Sequence, residues 1–301
     1  MKITGKELNE RIGWTLPQKI DHSLYIIDAF LGRYPNCRIS FSGGIDSTVM
    51  LHLIRIIDKN KKAIFINTTN EHSEILKFVQ TVDNVETIRP KMTFTKVVEK
   101  YGFPLISKLT ARMLTDLRNP HPNNEDTRHL FLTGIKRDGT KSNSFQLAKK
   151  YRYLINAPFD ITFKCCNYLK IEPIKLFKKD GMFVGTMAID SRQRRSSYLR
   201  TGCINLKQHK CIPLSIWTKE DIWNYIRQNN LSYCDVYDKG ESHTGCAYCA
   251  FGIMFDPLRF QRLKNREPKR YEQMMKIENN GITYKEALET IHRGSLTKPM
   301  L

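Results

Sequence analysis

Two groups of residues in this 301-residue chain have types and spacing that carry chemistry. The first is Ser42-Gly43-Gly44-Ile45-Asp46-Ser47, which follows the apolar run Arg38-Ile39-Ser40-Phe41 and precedes Val49-Met50-Leu51-His52-Leu53-Ile54. A strand, a glycine turn and a helix in that order aim unpaired helical N–H groups and the positive end of the helix dipole at whatever the turn faces, which suits a phosphate. Gly43 and Gly44 let the backbone approach such a group, and Ser42 and Ser47 bring hydroxyl donors. Asp46, a carboxylate beside phosphates, is placed to position the loop or to hold Mg²⁺. No lysine follows the second glycine, so the loop is not of the Walker type.

The second group is cysteine. Of eight cysteines, at 37, 165, 166, 203, 211, 234, 246 and 249, four form two pairs: Cys165-Cys166, and the CxxC set Cys246-Ala247-Tyr248-Cys249 flanked by Gly245 and Gly252. In a reducing compartment, four thiolates from two distant pairs suit a tetrahedral Zn²⁺ or a [4Fe–4S] cluster equally well by ligand count. Cys37 and Cys234 lack a partner at ligand spacing and read as small buried hydrophobes. Cys203 and Cys211 lie in a basic stretch, where neighbouring cations would lower a thiol pKa.

Charge narrows the choice of partner. There are 49 Lys and Arg against 30 Asp and Glu, a net charge of +19, and between 192 and 210 the chain carries Arg192, Arg194, Arg195, Arg200, Lys207 and Lys210 with no acidic residue. Such a concentration attracts polyanions, so a nucleotide or a nucleic acid, tRNA or DNA, is the expected partner. Arg192, Arg194 and Arg195 are the candidates for neutralising a bound nucleotide or anionic substrate. Trp217 and Trp223, tempting as stacking residues, sit beside apolar neighbours at a helix start and read as core.

The six-residue loop resembles the SGGxDS signature of the PP-loop, or N-type ATP pyrophosphatase, superfamily. Within it, Ile66-Asn67-Thr68 with Glu71, Tyr101-Gly102-Phe103-Pro104, and Pro213-Leu214 with Trp217-Thr218, Asp221, Trp223 and Tyr225-Ile226 resemble the phosphoadenosine phosphosulfate reductase family over about 36–252. The resemblance implies an adenine-nucleotide alpha-hydrolase-like (HUP-type) fold, with ATP and Mg²⁺ at Ser42, Gly43, Gly44, Asp46 and Ser47, and Asp46 and Ser47 in the catalytic role. The 79 residues between Cys166 and Cys246, with Lys170, Glu172-Pro173 and Ile174 after the first pair, resemble the Cys-Cys…CxxC pattern of adenylyl-sulfate reductases and DNA phosphorothioation sulfurtransferases. That resemblance implies a [4Fe–4S] cluster on Cys165, Cys166, Cys246 and Cys249, with Zn²⁺ as the alternative. Two departures follow. Those reductases attack sulfur with a cysteine in a C-terminal Glu-Cys-Gly context, whereas no cysteine follows Cys249 here. In Gly185-Thr186-Met187-Ala188-Ile189-Asp190-Ser191-Arg192 the family usually has arginine near Met187 and glutamate near Asp190. An iron–sulfur sulfurtransferase that adenylates its acceptor and takes sulfur from a donor protein is therefore the leading expectation. A sulfonucleotide reductase with Cys203 or Cys211 as relocated nucleophile and a non-catalytic nucleotide-binding subunit are the alternatives.

These residues need elements to hold them. The strand Arg38-Ile39-Ser40-Phe41 is followed by Ala63-Ile64-Phe65-Ile66-Asn67, Val85-Glu86-Thr87-Ile88 and Met182-Phe183-Val184-Gly185-Thr186-Met187, alternating with helix-length stretches. That alternation predicts an α/β fold with a doubly wound parallel sheet. Thr218 with Asp221 three residues on predicts a capped helix start. The expected organisation is an N-terminal helical segment at 1–35, a nucleotide-binding domain at 36–255 with a surface insertion at about 118–150, and a basic helical C-terminal extension at 256–301. At 41% hydrophobic and 26% charged residues, with a mean hydropathy of −0.45, the chain is ordinary globular in composition and too long for a disulfide-stapled scaffold. It offers no apolar run of the ~20 residues a membrane span needs. Its first residues carry no secretory signal pattern, so a cytoplasmic setting without a membrane partner is expected.

Overall fold

The structure, a computed structural model, describes residues 3–242 and 244–295. Its helices in chain order are α1 (Gly5–Ile12), α2 (Leu16–Arg33), α3 (Ile45–Ile57), α4 (Ser73–Gln80), α5 (Phe94–Tyr101), α6 (Lys108–Arg118), α7 (Glu125–Thr133), the single turn α8 (Glu172–Ile174), α9 (Arg192–Thr201), α10 (Lys219–Gln228), α11 (Arg259–Arg266), α12 (Pro268–Met275) and α13 (Tyr284–Ser295). The strands are β1 (Arg38–Ser40), β2 (Ala63–Ile66), β3 (Val85–Ile88), β4 (Leu105–Ile106), β5 (Met182–Val184), β6 (Ile204–Asn205), β7 (Lys210–Cys211), β8 (Ala250–Phe251), β9 (Glu278–Asn279) and β10 (Ile282–Thr283). The chain divides into two compact units: Met1–Asn67 with Glu71–Pro90 and Ile171–Gly245, and Thr68–Asn70 with Lys91–Lys170 and Cys246–Leu301.

The first unit is built on a six-stranded sheet in the order β3-β2-β1-β5-β7-β6. All neighbours are parallel except β6, which pairs antiparallel with β7 at the edge. The chain enters at β1, moves outward through β2 and β3, then returns to the other side of β1 with β5, so the winding reverses between β1 and β5. This is the doubly wound α/β sheet expected from the alternation. Strands buried on both faces read as continuous apolar runs, and Ile39, Ala63, Phe65 and Phe183 are all in the core. α3 packs on α2 and α10, and its buried face, Val49, Met50, Leu53 and Ile54, follows helical spacing.

α10 begins where expected. Thr218 accepts from the Asp221 backbone N–H at 3.2 Å, and Asp221 accepts in return from the Thr218 backbone N–H at 2.7 Å. Lys19 of α2, itself buried, places its Nζ 2.6 Å from Asp221 Oδ2. Trp217 donates from Nε1 to Ser23 Oγ at 2.9 Å inside the core. The first turn of α10 is thus held by a cap, a buried ion pair and an indole.

The second unit has its own core, drawn from α5, α6, α7 and the C-terminal helices, including Phe103, Leu114, Phe131, Phe260, Leu263 and Tyr284. β4 and β8 pair in parallel, and β9 and β10 form a short hairpin. Two expectations look different here. The stretch at 118–150 contains α7, and its Phe131 and Leu147 are buried in this core rather than lying on a surface insertion. The stretch after 256 carries α11, α12, α13 and the β9–β10 hairpin, and it shares a core with 91–170 instead of standing as an extension; its residues 296–301, like residues 1–2 of the N-terminal segment, lie outside the described residues. Among the described residues no helix is long and apolar enough to cross a membrane.

Candidate functional site

The loop of residues 42–47 leaves the end of β1 and enters α3, whose N-cap is Gly44. Its shape is held from within. Ser47 Oγ donates to the Gly44 carbonyl at 2.8 Å and accepts from the Ser42 backbone N–H at 3.2 Å, while Thr48 Oγ1 also donates to the Gly44 carbonyl. Gly43 has φ +73, a conformation that glycine adopts without a Cβ penalty, and a Cβ there would lie 3.0 Å from Ile75. Gly185, following β5, passes so close that a Cβ would lie 3.2 Å from the Asp46 carbonyl oxygen.

A cavity of about 470 Å³ opens over this loop, lined by Ser42, Gly44 and Asp46 on one side and by Gly185, Thr186 and Arg194 on another. It sits outside the carboxyl ends of β1 and β5, where the winding reverses, the place where open α/β sheets take ligands. Lys219, the first residue of α10, reaches into it, its Nζ 2.6 Å from both Asp46 oxygens. Burial lifts the Asp46 carboxyl above the usual carboxylate range, and Lys219 pulls it part of the way back. Tyr237 closes the floor: its hydroxyl accepts from the Ile45 backbone N–H at 3.1 Å, the donor a bound anion would meet. The ring of Tyr237 stands at 90° to that of Trp223, with centroids 5.8 Å apart. A Cβ on Gly44 would lie 2.4 Å from Thr244 Oγ1 and 3.0 Å from the Tyr237 hydroxyl.

Of the residues expected here, Ser42, Gly44 and Asp46 line the cavity, while Gly43 and Ser47 shape the loop behind it. Arg194 lines the cavity and pairs with Asp190. Arg192 and Arg195 do not line it; Arg195 donates to Asn9 Oδ1 of α1 at 3.0 Å. Lys219, Tyr237 and Thr244 were not anticipated. Lys219 directly follows the cap residue Thr218, so its place at a helix start was readable, but its partner lies 173 residues earlier. Trp217 is in the core, as expected, and Trp223 packs against that core part-buried, bracing Tyr237.

In the second unit, Cys165, Cys166, Cys246 and Cys249 line one small cavity of about 20 Å³, together with Asn70, Phe94 and Lys170. The two sequence-distant pairs do meet. Among the described residues no three His, Cys, Asp or Glu side chains form a ready-made single-ion site. The Cys166 thiol is lowered to about 6, by the hydrogen bond from Cys165 and then by Lys108 and Lys170. Cys165 is raised by the same hydrogen bond and by burial, and burial pushes Cys249 up to about 12.

Asn70 was not anticipated and organises this site. Its backbone carbonyl accepts from Ala247 N–H at 2.6 Å and its Oδ1 accepts from Tyr248 N–H at 2.9 Å, which fixes the turn between Cys246 and Cys249. Arg259, also buried, donates to the Cys246 carbonyl at 3.1 Å. Asn70 is 0% exposed, and its Nδ2 has no hydrogen-bond partner among the described residues. A buried donor on a cavity lined with sulfur is a cost unless an acceptor sits there.

The remaining cysteines lie apart from both cavities. Cys203 and Cys211 are buried in the core of the first unit, and burial pushes the Cys203 thiol up to about 12 and the Cys211 thiol well above the ordinary thiol value. The basic stretch does not depress their pKa values, because its cations lie outside while the sulfurs point in. His22 Nε2 stands 3.7 Å from the Cys203 sulfur, but neither sulfur lines the cavity over the loop. Cys37 and Cys234 are buried, as expected.

The chain belongs to the phosphoadenosine phosphosulfate reductase domain family, which matches residues 36–251. An uncharacterized protein of Methanocaldococcus jannaschii is 26% identical over 232 residues, which is 74% of this chain and 44% of that protein. A second from the same organism is 24% identical over 252 residues, 78% of this chain and 39% of that protein. The chain thus spans less than half the length of these two relatives. Adenosine 5′-phosphosulfate reductase 2 of Bacillus subtilis is 26% identical over 220 residues, covering 69% of this chain and 70% of the reductase. Among solved structures, a phosphate complex of phosphoadenylyl-sulfate reductase from Candida auris aligns with a TM-score of 0.43 and 14% identity over 82% of this chain and 97% of that chain.

Proposed function

We propose that this chain is an ATP-dependent sulfurtransferase that adenylates an oxygen of its acceptor. The observation that carries the reading is the cavity over the loop: a glycine-lined approach to a helix N-terminus, faced by Lys219 paired with Asp46 and by Arg194 paired with Asp190. Ser42, Gly44 and the N–H groups of α3 bind the β- and γ-phosphates, and Lys219 and Arg194 balance their charge. Asp46 then serves the Mg²⁺ that accompanies ATP. With pyrophosphate held in place, an acceptor carbonyl oxygen attacks the α-phosphorus; the new P–O bond forms as the bond to pyrophosphate breaks. Hydrosulfide, delivered by a donor protein, then adds to the activated carbon, and AMP leaves with the original oxygen. Carbon, sulfur and phosphorus keep their oxidation states throughout.

Cys165, Cys166, Cys246 and Cys249 are the residues that would hold a [4Fe–4S] cluster. The donor set fits: four soft sulfurs with no hard oxygen ligand suit iron–sulfur or zinc, and the unpaired Asn70 amide N–H would give a bound group's sulfur a donor. When bound, such a cluster would supply a site for inorganic sulfur. The Cys-Cys…CxxC resemblance favours it over Zn²⁺. The +19 charge supports a nucleic acid acceptor.

A reductase acting on adenosine 5′-phosphosulfate is the second reading, favoured by relatives that carry that name. It needs an accessible thiol, and the burial of Cys203 and Cys211 speaks against both as the nucleophile. Calorimetry on anaerobically purified protein separates the readings. The sulfurtransferase binds MgATP and carries about four irons per chain; preference for adenosine 5′-phosphosulfate over ATP overturns it in favour of the reductase. Stoichiometric zinc without iron removes the cluster from the proposal.

A further inference from the structure

Beside the cavity over the loop lies a second one of about 310 Å³, bounded by β5, β7 and α9. Its volume is at the lower end of the ~300–1,000 Å³ typical of small-molecule sites. Thr186 and Arg194 line both cavities, so a ligand in one has its edge beside a ligand in the other. The floor is apolar and buried, made by Met187, Ala188 and the ring of Tyr198, whose hydroxyl is already taken by Arg11 at 3.1 Å. The rim carries two amides, Gln193 and Gln208, and two cations, Lys210 and the Asp190-paired Arg194, and among the described residues no carboxylate lines the cavity. Among the described residues the side chains of Gln193, Gln208 and Lys210 have no hydrogen bond or ion pair within the chain.

We propose that this second cavity seats the acceptor as a nucleobase with its phosphate, an inference that rests on the ATP-dependent reading above. A flat, amphipathic ring matches an apolar floor with amides at its edge: the face of the base lies on Met187 and Tyr198, and Gln193 and Gln208 meet its donor and acceptor edge. Gln is among the side chains that pair bidentately with base edges. Lys210 meets the sugar phosphate, and Arg194, at the border, faces the carbonyl oxygen that attacks the α-phosphorus of ATP. The same arrangement gives the basic stretch between 192 and 210 a division of labour. Lys210 meets the reacting nucleotide, Arg194, paired with Asp190, stands at the border of the two cavities, and Arg195 donates to Asn9 of α1.

The probes are the four ribonucleoside 5′-monophosphates, titrated into protein saturated with α,β-methylene-ATP. One of the four should bind at least tenfold more tightly than the others. Gln208→Ala should erase most of that preference, and Lys210→Ala should weaken all four by about tenfold. Neither should change the affinity for α,β-methylene-ATP, and because both side chains are exposed the variants should melt with the parent. Absence of any monophosphate binding, or equal binding of all four that neither variant alters, overturns the site. If α,β-methylene-ATP itself fails to bind, the ATP reading falls, and the titration without it decides the cavity by the same criteria. Displacement of both ligands together by adenosine 5′-phosphosulfate makes the two cavities one sulfonucleotide site and overturns the proposal.

Discussion

Gly44 in the loop region and Gly102 in the cysteine-bearing unit are the same residue doing opposite jobs. Gly44 has an ordinary φ of −85, and a Cβ there would meet side-chain ends, Thr244 Oγ1 at 2.4 Å, the Tyr237 hydroxyl at 3.0 Å and Ser42 Oγ at 3.4 Å. Gly102 has φ +93, and a Cβ there would lie 2.1 Å from the Asp160 carbonyl oxygen and 2.2 Å from its carbon, backbone that cannot swing aside. That contact belongs to a chain pairing in which Phe103 N–H donates to the same carbonyl at 2.8 Å. One glycine keeps space for a ligand; the other lets two backbones touch. The loop region keeps open room, with Lys219 and Arg194 each paired to a carboxylate at its edge, whereas the cysteine region uses its close contacts to bring distant segments together.

The largest effect that tests this contrast is on stability. Gly102→Ala combines a left-handed backbone with direct backbone overlap and should cost about 3 kcal/mol or more in denaturant unfolding. A loss below about 1 kcal/mol would show that the pairing at Asp160 yields easily and that the contrast is false. Gly44→Ala should leave unfolding within about 1 kcal/mol of the parent while weakening ATP binding by at least ~100-fold, since its methyl group fills the approach to the helix N-terminus. Equal destabilisation by the two alanines would break the comparison. Next in size is Lys219→Met. Lys219 is 45% exposed, so losing its pair with Asp46 should hardly move stability, but a charge-assisted contact to phosphate should be worth about tenfold in ATP affinity. Unchanged affinity in calorimetry at low salt would remove Lys219 from the phosphate site.

How much of this was legible depended on sequence distance. The loop was readable because its six residues are contiguous and its strand, turn and helix follow from local pattern alone. The cap at Thr218 and Asp221 was readable for the same reason. The cysteine pairs were legible as pairs, and the chain does bring them to one cavity. Asn70, which holds that cavity together, carries no local signal, because its partners Ala247 and Tyr248 lie far along the chain. The arginine cluster looked like one group, but α9 turns by about 100° per residue, which sends Arg194 to the cavity and Arg195 to α1. At 118–150 the weak periodicity hid Phe131 and Leu147, whose burial depends on helices before and after them rather than on their neighbours in sequence.

The smallest effect is also the one whose sign says most about the loop. Burial raises the Asp46 carboxyl despite Lys219, so the folded chain holds that proton more tightly than the unfolded chain does. A group raised in this way contributes its stability in acid and loses it as pH rises through the raised value. At pH 7 the ionised carboxylate is therefore kept in the cavity at a small cost, and Asp46→Asn should remove that cost. The variant should melt at the parent's temperature or slightly above it at pH 7, by about 1 kcal/mol at most, a gain of a few degrees or less. The gain should fade as the pH falls through the raised value, where the parent carboxyl takes up its proton. ATP binding in the presence of Mg²⁺ should fall in the same variant, giving opposite signs for stability and binding. A variant that melts well below the parent at pH 7 would mean that the pair with Lys219 outweighs burial, and the carboxylate would then belong to the architecture of the loop rather than to its ligand.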